Sequence, residues 1–408
     1  MRILLATHAR GAVGGVESYV RGTVPELIRR GHQLAAIFEH GYESAGARPD
    51  PYAGCLEWRL DDLPLAGLAA AARAWNPDLI WTHGLQSAAL EDALLEIAPA
   101  VLFSHNYDGT CATGLKLRQW PHPSPCGRVM GPGCAVVNFT RRCGTLRPAR
   151  FAAGWQRQRQ RLQSLPLYRR VMVGSRHLAE EYRRHGVPAD RLRPVVYPLQ
   201  GQRGPAPAPR ATPPAEIVML ARLTAAKGGR ELLLALPEAQ RRLRRSLHLT
   251  LAGDGPERAP LAALAQRLGL DVVFPGWIEG EERRRRLAGA DLLATPSIWP
   301  EPYGMVGMEA AGWGVPAVAF AVGGIPEWLE AGRNGELAPG NPPTPTGLAA
   351  ALVRALESVE HWNALRLGAW EFTARLDLSQ HVDRLESIFA EALAAPAART
   401  AACGGTGA

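Results

Sequence analysis

Lysine is nearly missing from this chain: Lys116 and Lys227 are the only two among 46 Lys and Arg residues, and the other 44 are arginines. A lysine kept where arginine is the default points to a geometric demand, because an ammonium is a compact charge with three donors and a guanidinium a planar fork. Gly-x-Gly-x-x-Gly is absent, which counts against a dinucleotide site. No Cys-x-x-Cys pair occurs. No apolar run approaches the ~18 residues of a spanning helix, so membrane association, if any, is expected to be peripheral at an inner membrane face. The apolar start Ile3–Ala6 is too short for a signal peptide and reads as a first buried strand, giving a cytoplasmic expectation. No recognisable reader motif accompanies the positive charge, so nucleic acid is not expected as a partner.

What is present is a chain of 408 residues, 47% hydrophobic and 21% charged, enough for two domains. The net charge of +8 comes from arginine clusters such as Arg141-Arg142, Arg157 to Arg161, Arg241 to Arg245 and Arg283 to Arg286. The favoured explanation is arginine on ordinary solvated helix faces; the other is contact with phosphates or an anionic membrane surface.

Short apolar runs alternate with longer amphipathic stretches, first from Ile3 to Phe103 and again from Glu216 to Phe320. This pattern predicts an α/β chain with two Rossmann-like parallel-sheet domains facing a cleft. Residues 1–200 form the first domain, with an insert over 106–148; 201–214, rich in Pro and Gly, is a linker; 215–374 form the second domain. A helix over 375–393 and a disordered tail over 394–408 complete the chain. Ligands of open α/β sheets bind beyond the carboxyl ends of the strands, where the polar signals fall.

After the first strand, Gly14 and Gly15 open a helix whose bare amides can face an anion or an acceptor. Glu39, ending the second strand, is similar to the acidic ribose ligand of nicotinamide enzymes and keeps that class open. In the second half, Arg222 and Lys227 follow the strand Ile217–Leu220 and can reach one diphosphate, stabilising charge that develops when a sugar-phosphate bond breaks. Glu301 precedes Pro302, which suits a first helical position, and the amides of Gly304, Met305 and Val306 are then orphan donors for phosphate. Glu309 would lie about two turns into that helix, placed to accept both ribose hydroxyls. Trp277 is a candidate neighbour of the base or a core aromatic.

These motifs resemble glycosyltransferase family 4, retaining enzymes of the GT-B fold. The resemblance rests on Gly14-Gly15-Val16-Glu17, His105, Arg222 to Gly228, Ala252 to Pro256, Thr295-Pro296-Ser297, Glu301 to Glu309 and Gly323 to Glu327. Ala221 departs from it, standing where the family usually has Gly or Ser. It implies that Arg222 and Lys227 bind a donor diphosphate, Glu309 the ribose, Glu301 the transferred sugar, and that His105 sits at the reaction centre near the acceptor. It also implies a UDP-, GDP-, ADP- or TDP-sugar donor, a glycan, lipid-linked or small-molecule acceptor, and no catalytic metal. A sugar-nucleotide epimerase of similar architecture is the rival enzyme, and a non-catalytic sugar-nucleotide or membrane-surface binding protein the rival of another class.

Cys111, Cys126, Cys134 and Cys143 crowd into the insert. They suit a structural zinc or iron-sulfur site, paired disulfides or unlinked buried thiols. Cys55 and Cys403 look unrelated.

Overall fold

The computed structural model describes residues 1–11, 14–41 and 50–395. Ala12 and Val13 of the glycine loop, the tail from 396 onward and Cys403 lie outside the described residues.

The opening run is buried on both faces: Ile3, Leu4, Leu5 and Ala6 are all fully enclosed, as in a parallel sheet covered by helices on each side. The first sheet has strands β1 (Arg2–Ala9), β2 (Gln33–His40), β3 (Leu56–Arg59), β4 (Leu79–Thr82) and β5 (Ala100–Ser104). A small antiparallel ribbon, β6 (Leu117–Arg118) with β7 (Ser124–Pro125), interrupts it before β8 (Arg170–Val173) and β9 (Leu192–Pro194). Its order is β3-β2-β1-β4-β5-β8-β9, with parallel pairing throughout.

The second sheet comprises β10 (Glu216–Leu220), β11 (His248–Ala252), β12 (Val272–Gly276), β13 (Leu292–Thr295), β14 (Ala317–Phe320) and β15 (Gly335–Ala338). It runs β12-β11-β10-β13-β14-β15, again parallel. Strand order reverses between β1 and β4 in one sheet and between β10 and β13 in the other, and ligand crevices form at such switch points.

The helices covering the first sheet include α1 (Gly15–Arg29), α2 (Leu65–Trp75) and α3 (Ala88–Leu95); α4 (Gly133–Arg141) and α5 (Pro148–Ser164) belong to the excursion between β5 and β8, and α6 (Arg176–Arg184) follows. The second carries α7 (Gly229–Leu243), α8 (Arg258–Arg267), α9 (Gly280–Gly289), α10 (Val306–Ala311), α11 (Pro345–Leu356) and α12 (Val359–Phe372). The last helix, α13 (Leu378–Ala394), packs back on α1. There Arg30 binds Asp383 and Glu386, and Tyr19 Oη meets His381 Nε2 at 2.8 Å.

Hydrogen bonds hold the domains together beside the cleft, among them one from Tyr107 Oη to the Pro300 carbonyl at 2.8 Å. Ser175 Oγ donates to the Pro302 carbonyl at 2.6 Å, and the Glu327 carboxylate accepts the amides of Arg176 and His177, each at 2.8 Å, at the start of α6. A carboxylate at a helix amino end is favoured by the helix dipole, so Glu327 ties a helix of one domain to the 3-10 turn Ile325–Glu327 of the other. Lys116, one of the two lysines, is an anchor: buried, it pairs with Glu181 of α6 and donates to the Arg128 carbonyl at 2.6 Å.

Candidate active site

On the second-domain face of the cleft, β10 ends at Leu220 and the chain turns through Arg222 into one 3-10 turn, Ala225–Lys227. Gly228 then has φ +70°, and a Cβ there would stand 1.8 Å from the Pro296 carbonyl oxygen, so glycine alone lets the turn pass β13. That turn delivers Lys227 to the end of β13. Its Nζ donates to Glu301 Oε1 at 2.6 Å and stands 5.2 Å from the centre of the Trp299 ring. Ser297 Oγ donates to the same carboxylate oxygen at 2.5 Å. Burial works to raise the Glu301 carboxyl, but attraction to Lys227 and the hydrogen bonds from Lys227 and Ser297 outweigh it and hold it below the usual carboxylate range. Glu301 is therefore a buried anion at neutral pH. Arg222 is exposed at the same cleft and forms no ion pair among the described residues.

The helix expected from Pro302 onward starts later. α10 begins at Val306, so Glu309 lies in its first turn rather than two turns in. The reason is local: Gly304 has φ +93°, the Pro302 carbonyl is taken by Ser175, and the Tyr303 carbonyl accepts Trp328 Nε1 at 2.6 Å. These bonds hold 301–304 as a loop. The consequence for the amides is unchanged, because those of Gly304, Met305 and Val306 have no acceptor among the described residues and border the cleft. Glu309 is already engaged: Arg283 donates to its Oε2 from Nε at 2.9 Å and from Nη2 at 2.7 Å. Trp277 is half exposed at the cleft rim, donating to Glu279 at 2.7 Å.

The opposite wall belongs to the first domain. Gly14 and Gly15 border the cleft, and a Cβ on Gly15 would lie 2.5 Å from Met305 Cε, so the glycine lets the two walls meet. Beside them the Glu17 carboxyl is raised by burial, with backbone amides of Glu17 and Gly14 pulling the other way.

His105 follows β5 at the cleft, with both ring nitrogens engaged: Nδ1 with Tyr197 Oη at 2.7 Å and Nε2 with His83 Nδ1 at 2.9 Å. Burial lowers His105 to about 3 and pushes His83 well below the ordinary histidine range, so both rings are neutral at working pH. His83 Nε2 is buried without a partner among the described residues. His83, His105 and Tyr197 form one hydrogen-bonded chain that holds the His105 ring from both sides.

Glu39 does not face a ligand. It is buried, bonded to His8 Nδ1 at 2.6 Å and to the amides of Gln86 and Ser87 before α3, which leaves no carboxylate for a ribose. That corrects the nicotinamide reading. The four insert thiols are free, and among the described residues no three His, Cys, Asp or Glu side chains form a group that could hold a metal. They are still neighbours: burial, then the thiols of Cys126, Cys111 and Cys134, push Cys143 up to about 11. Cys111 Sγ accepts the Lys116 amide at 3.4 Å, and Cys143 Sγ donates to the Val137 carbonyl at 3.6 Å.

The cleft thus brings together Gly14, Gly15, His105, Arg222, Lys227, Glu301, Gly304, Met305, Val306 and Glu309, while the cysteines stand apart from it. Sequence reasoning missed Ser297, Arg283, His83 and Tyr197 as participants. Ser297 was visible inside a quoted motif and Arg283 inside an arginine run; nothing in the sequence ties His83 or Tyr197 to His105.

Two family models match. One described as "Glycosyltransferase Family 4" covers residues 13–197, and one described as "Glycosyl transferases group 1" covers 205–368. An uncharacterized glycosyltransferase of Methanocaldococcus jannaschii is 36% identical over 121 residues, 29% of this chain and 30% of that protein. A D-inositol 3-phosphate glycosyltransferase of Nocardioides sp. is 37% identical over 165 residues, 36% of this chain and 35% of that protein. The chain spans about a third of the length of these curated relatives. Among solved structures, sucrose-phosphate synthase of Thermosynechococcus elongatus matches with TM-score 0.70 at 20% identity, covering 97% of this chain and 100% of that one. Anabaena HepE in complex with UDP and glucose matches with TM-score 0.65 at 18% identity, covering 96% and 99%. The likeness establishes the expected two-domain fold, GT-B.

Proposed function

We propose that this chain, matched by glycosyltransferase models in both halves, is a retaining family 4 transferase moving a sugar from a nucleoside diphosphate sugar to an acceptor held by the first domain. The observation that carries this reading is that one cleft is lined by Lys227 paired with Glu301 and, among the described residues, by an Arg222 without an ion pair and three amides without acceptors near Glu309. Such a set suits a diphosphate that gains negative charge as it leaves. Cations and amides already in position stabilise that charge without reorganising.

In the proposed step, the bond between the sugar's anomeric carbon and the diphosphate oxygen breaks, and its electron pair stays on the diphosphate. The acceptor hydroxyl attacks from the same face and its proton passes to that phosphate oxygen. Arg222, Lys227 and the amides of Gly304, Met305 and Val306 hold the leaving group; Glu301, fixed by Lys227 and Ser297, accepts hydrogen bonds from sugar hydroxyls. Glu309 takes the ribose hydroxyls once Arg283 shares or releases it. His105, neutral and held from both sides, lines the sugar pocket. The reading assigns the positive charge at the diphosphate to Arg222 and Lys227 and needs no metal ion in that role. HepE, solved with UDP and with UDP-glucose, supports a nucleotide-sugar donor by analogy of fold.

A calorimetric screen of UDP, GDP, ADP and TDP with their sugars tests the donor site. Selective binding by one nucleotide, lost in Lys227→Ala and weakened in Glu309→Ala, is the expected result. Absence of binding by all of them would remove the reading's support.

A further inference from the structure

The arginines of this chain fall into two kinds. On several helices they are neutralised locally: Arg29 pairs with Glu26, Arg183 with Glu180, Arg241 with Glu238 and Arg284 with Glu281, each three residues apart. The excursion between β5 and β8 is different. No Asp or Glu occurs between Asp108 and Glu180. Arg128, Arg141, Arg142, Arg147 and Arg150 are all exposed there and form no ion pair among the described residues.

The same region exposes large apolar side chains. Val136 is 67% exposed, Trp120 and Leu146 52%, Val129 43% and Phe139 41%. Contacts join several of them to the arginines. Val136 and Phe139 are three apart on α4 and share a face. The Phe139 ring lies 5.6 Å from that of Phe151, beside Arg150 in the first turn of α5. The Arg141 carbonyl accepts the Trp120 amide at 3.0 Å, and Arg142 lies over the Trp120 ring at 5.0 Å. Solvated helix faces do not look like this: they mix signs and do not present Trp, Phe and Val together.

We propose that this face, built on α4, the start of α5 and the loop carrying Trp120, docks on an anionic lipid bilayer. Arginines without acidic neighbours meet the negative headgroups, and Val136, Phe139 and Trp120 enter the headgroup and acyl boundary. Single-stranded nucleic acid also favours basic surfaces, but it engages them by stacking bases on aromatic rings, and Val136, Val129 and Leu146 offer no ring. The proposal rests on surface charge and exposure alone and is independent of the transfer reaction.

The test is flotation of the full chain with vesicles of equal parts phosphatidylcholine and phosphatidylglycerol, beside vesicles of phosphatidylcholine alone. Binding to the anionic vesicles only, falling as salt is raised, is expected. Arg141→Glu with Arg142→Glu is expected to weaken it about tenfold or more, since each basic group near such a surface contributes on the order of fivefold. Val136→Asp, at the most exposed apolar position, weakens it while leaving the melting temperature unchanged, which separates docking from folding. No binding to anionic vesicles, binding untouched by both variants, or binding of single-stranded RNA in place of vesicles would each overturn the proposal.

Discussion

The two walls of the cleft solve different problems. The second-domain wall is charged, and two ion pairs stand there before any ligand arrives, Lys227 with Glu301 and Arg283 with Glu309, beside an Arg222 that has no ion pair among the described residues. The first-domain wall carries Glu17 and Arg21 but also an uncharged set, with His105, His83 and Tyr197 joined by hydrogen bonds. Charge is kept where a diphosphate would leave. Neutral, rigid aromatic surface is kept where a sugar and its acceptor would be oriented. The lesson is that preorganisation takes two forms here, ion pairs on one wall and a ring held by hydrogen bonds from both sides on the other.

The charged wall gives the largest expected effect. Lys227→Ala removes a leaving-group cation and strands the buried Glu301 anion, so turnover should fall about 10³-fold and the melting temperature should drop as well. Adding Glu301→Gln to that variant should recover the melting temperature but not the turnover; recovery of both would mean that Lys227 serves only Glu301. Next, Glu309→Ala should weaken nucleoside diphosphate binding by about ten- to a hundredfold, the worth of hydrogen bonds to a charged group. Arg283→Ala should tighten it by about two- to fivefold, because a partly exposed ion pair that competes with ribose is worth up to about 1 kcal/mol. Calorimetry with the preferred nucleotide checks both signs.

The uncharged set predicts smaller changes and a pH signature. His83→Leu unties His105 Nε2 and should lower kcat by about tenfold, the cost of one buried hydrogen bond, with nucleotide affinity unchanged. The fold's stability should also depend on pH. His105 and His381 are held at about 3 and about 4 against an ordinary 6.5. Their unfolded forms therefore bind protons that their folded forms refuse, so their contribution is complete above 6.5 and is lost as pH falls towards 4 and 3. Denaturant titrations at pH 7 and pH 4.5 should differ by several kcal/mol from these groups, roughly, and His381→Asn should shrink the difference.

The contrast also explains how much could be read beforehand. The second-domain residues of the cleft lie in contiguous motifs that follow strand ends, so Arg222, Lys227, Glu301 and Glu309 could be singled out from the sequence. The helix start was misplaced because Pro302 fits a first turn, whereas Gly304 and two carbonyls committed to Ser175 and Trp328 delay it. Arg283 was hidden because its partner is 26 residues away, and His83 because its partner is 22 away on another strand end. Glu39 looked like a ligand because a buried acid before a helix and a ribose-binding acid occupy the same place in a βαβ unit. The strands β8, β9 and β15 and the helices between β5 and β8 were not read at all, the first being short and the last following a region of irregular composition.

The most direct test of the central claim is nuclear magnetic resonance of the transferred or released sugar, using the nucleotide sugar that binds best. The account predicts that the anomeric configuration of the donor is preserved in the first product, with nucleoside diphosphate released in equal amount and both lost in Lys227→Ala. An inverted anomer, an epimerised sugar, or tight donor binding with no turnover would contradict it.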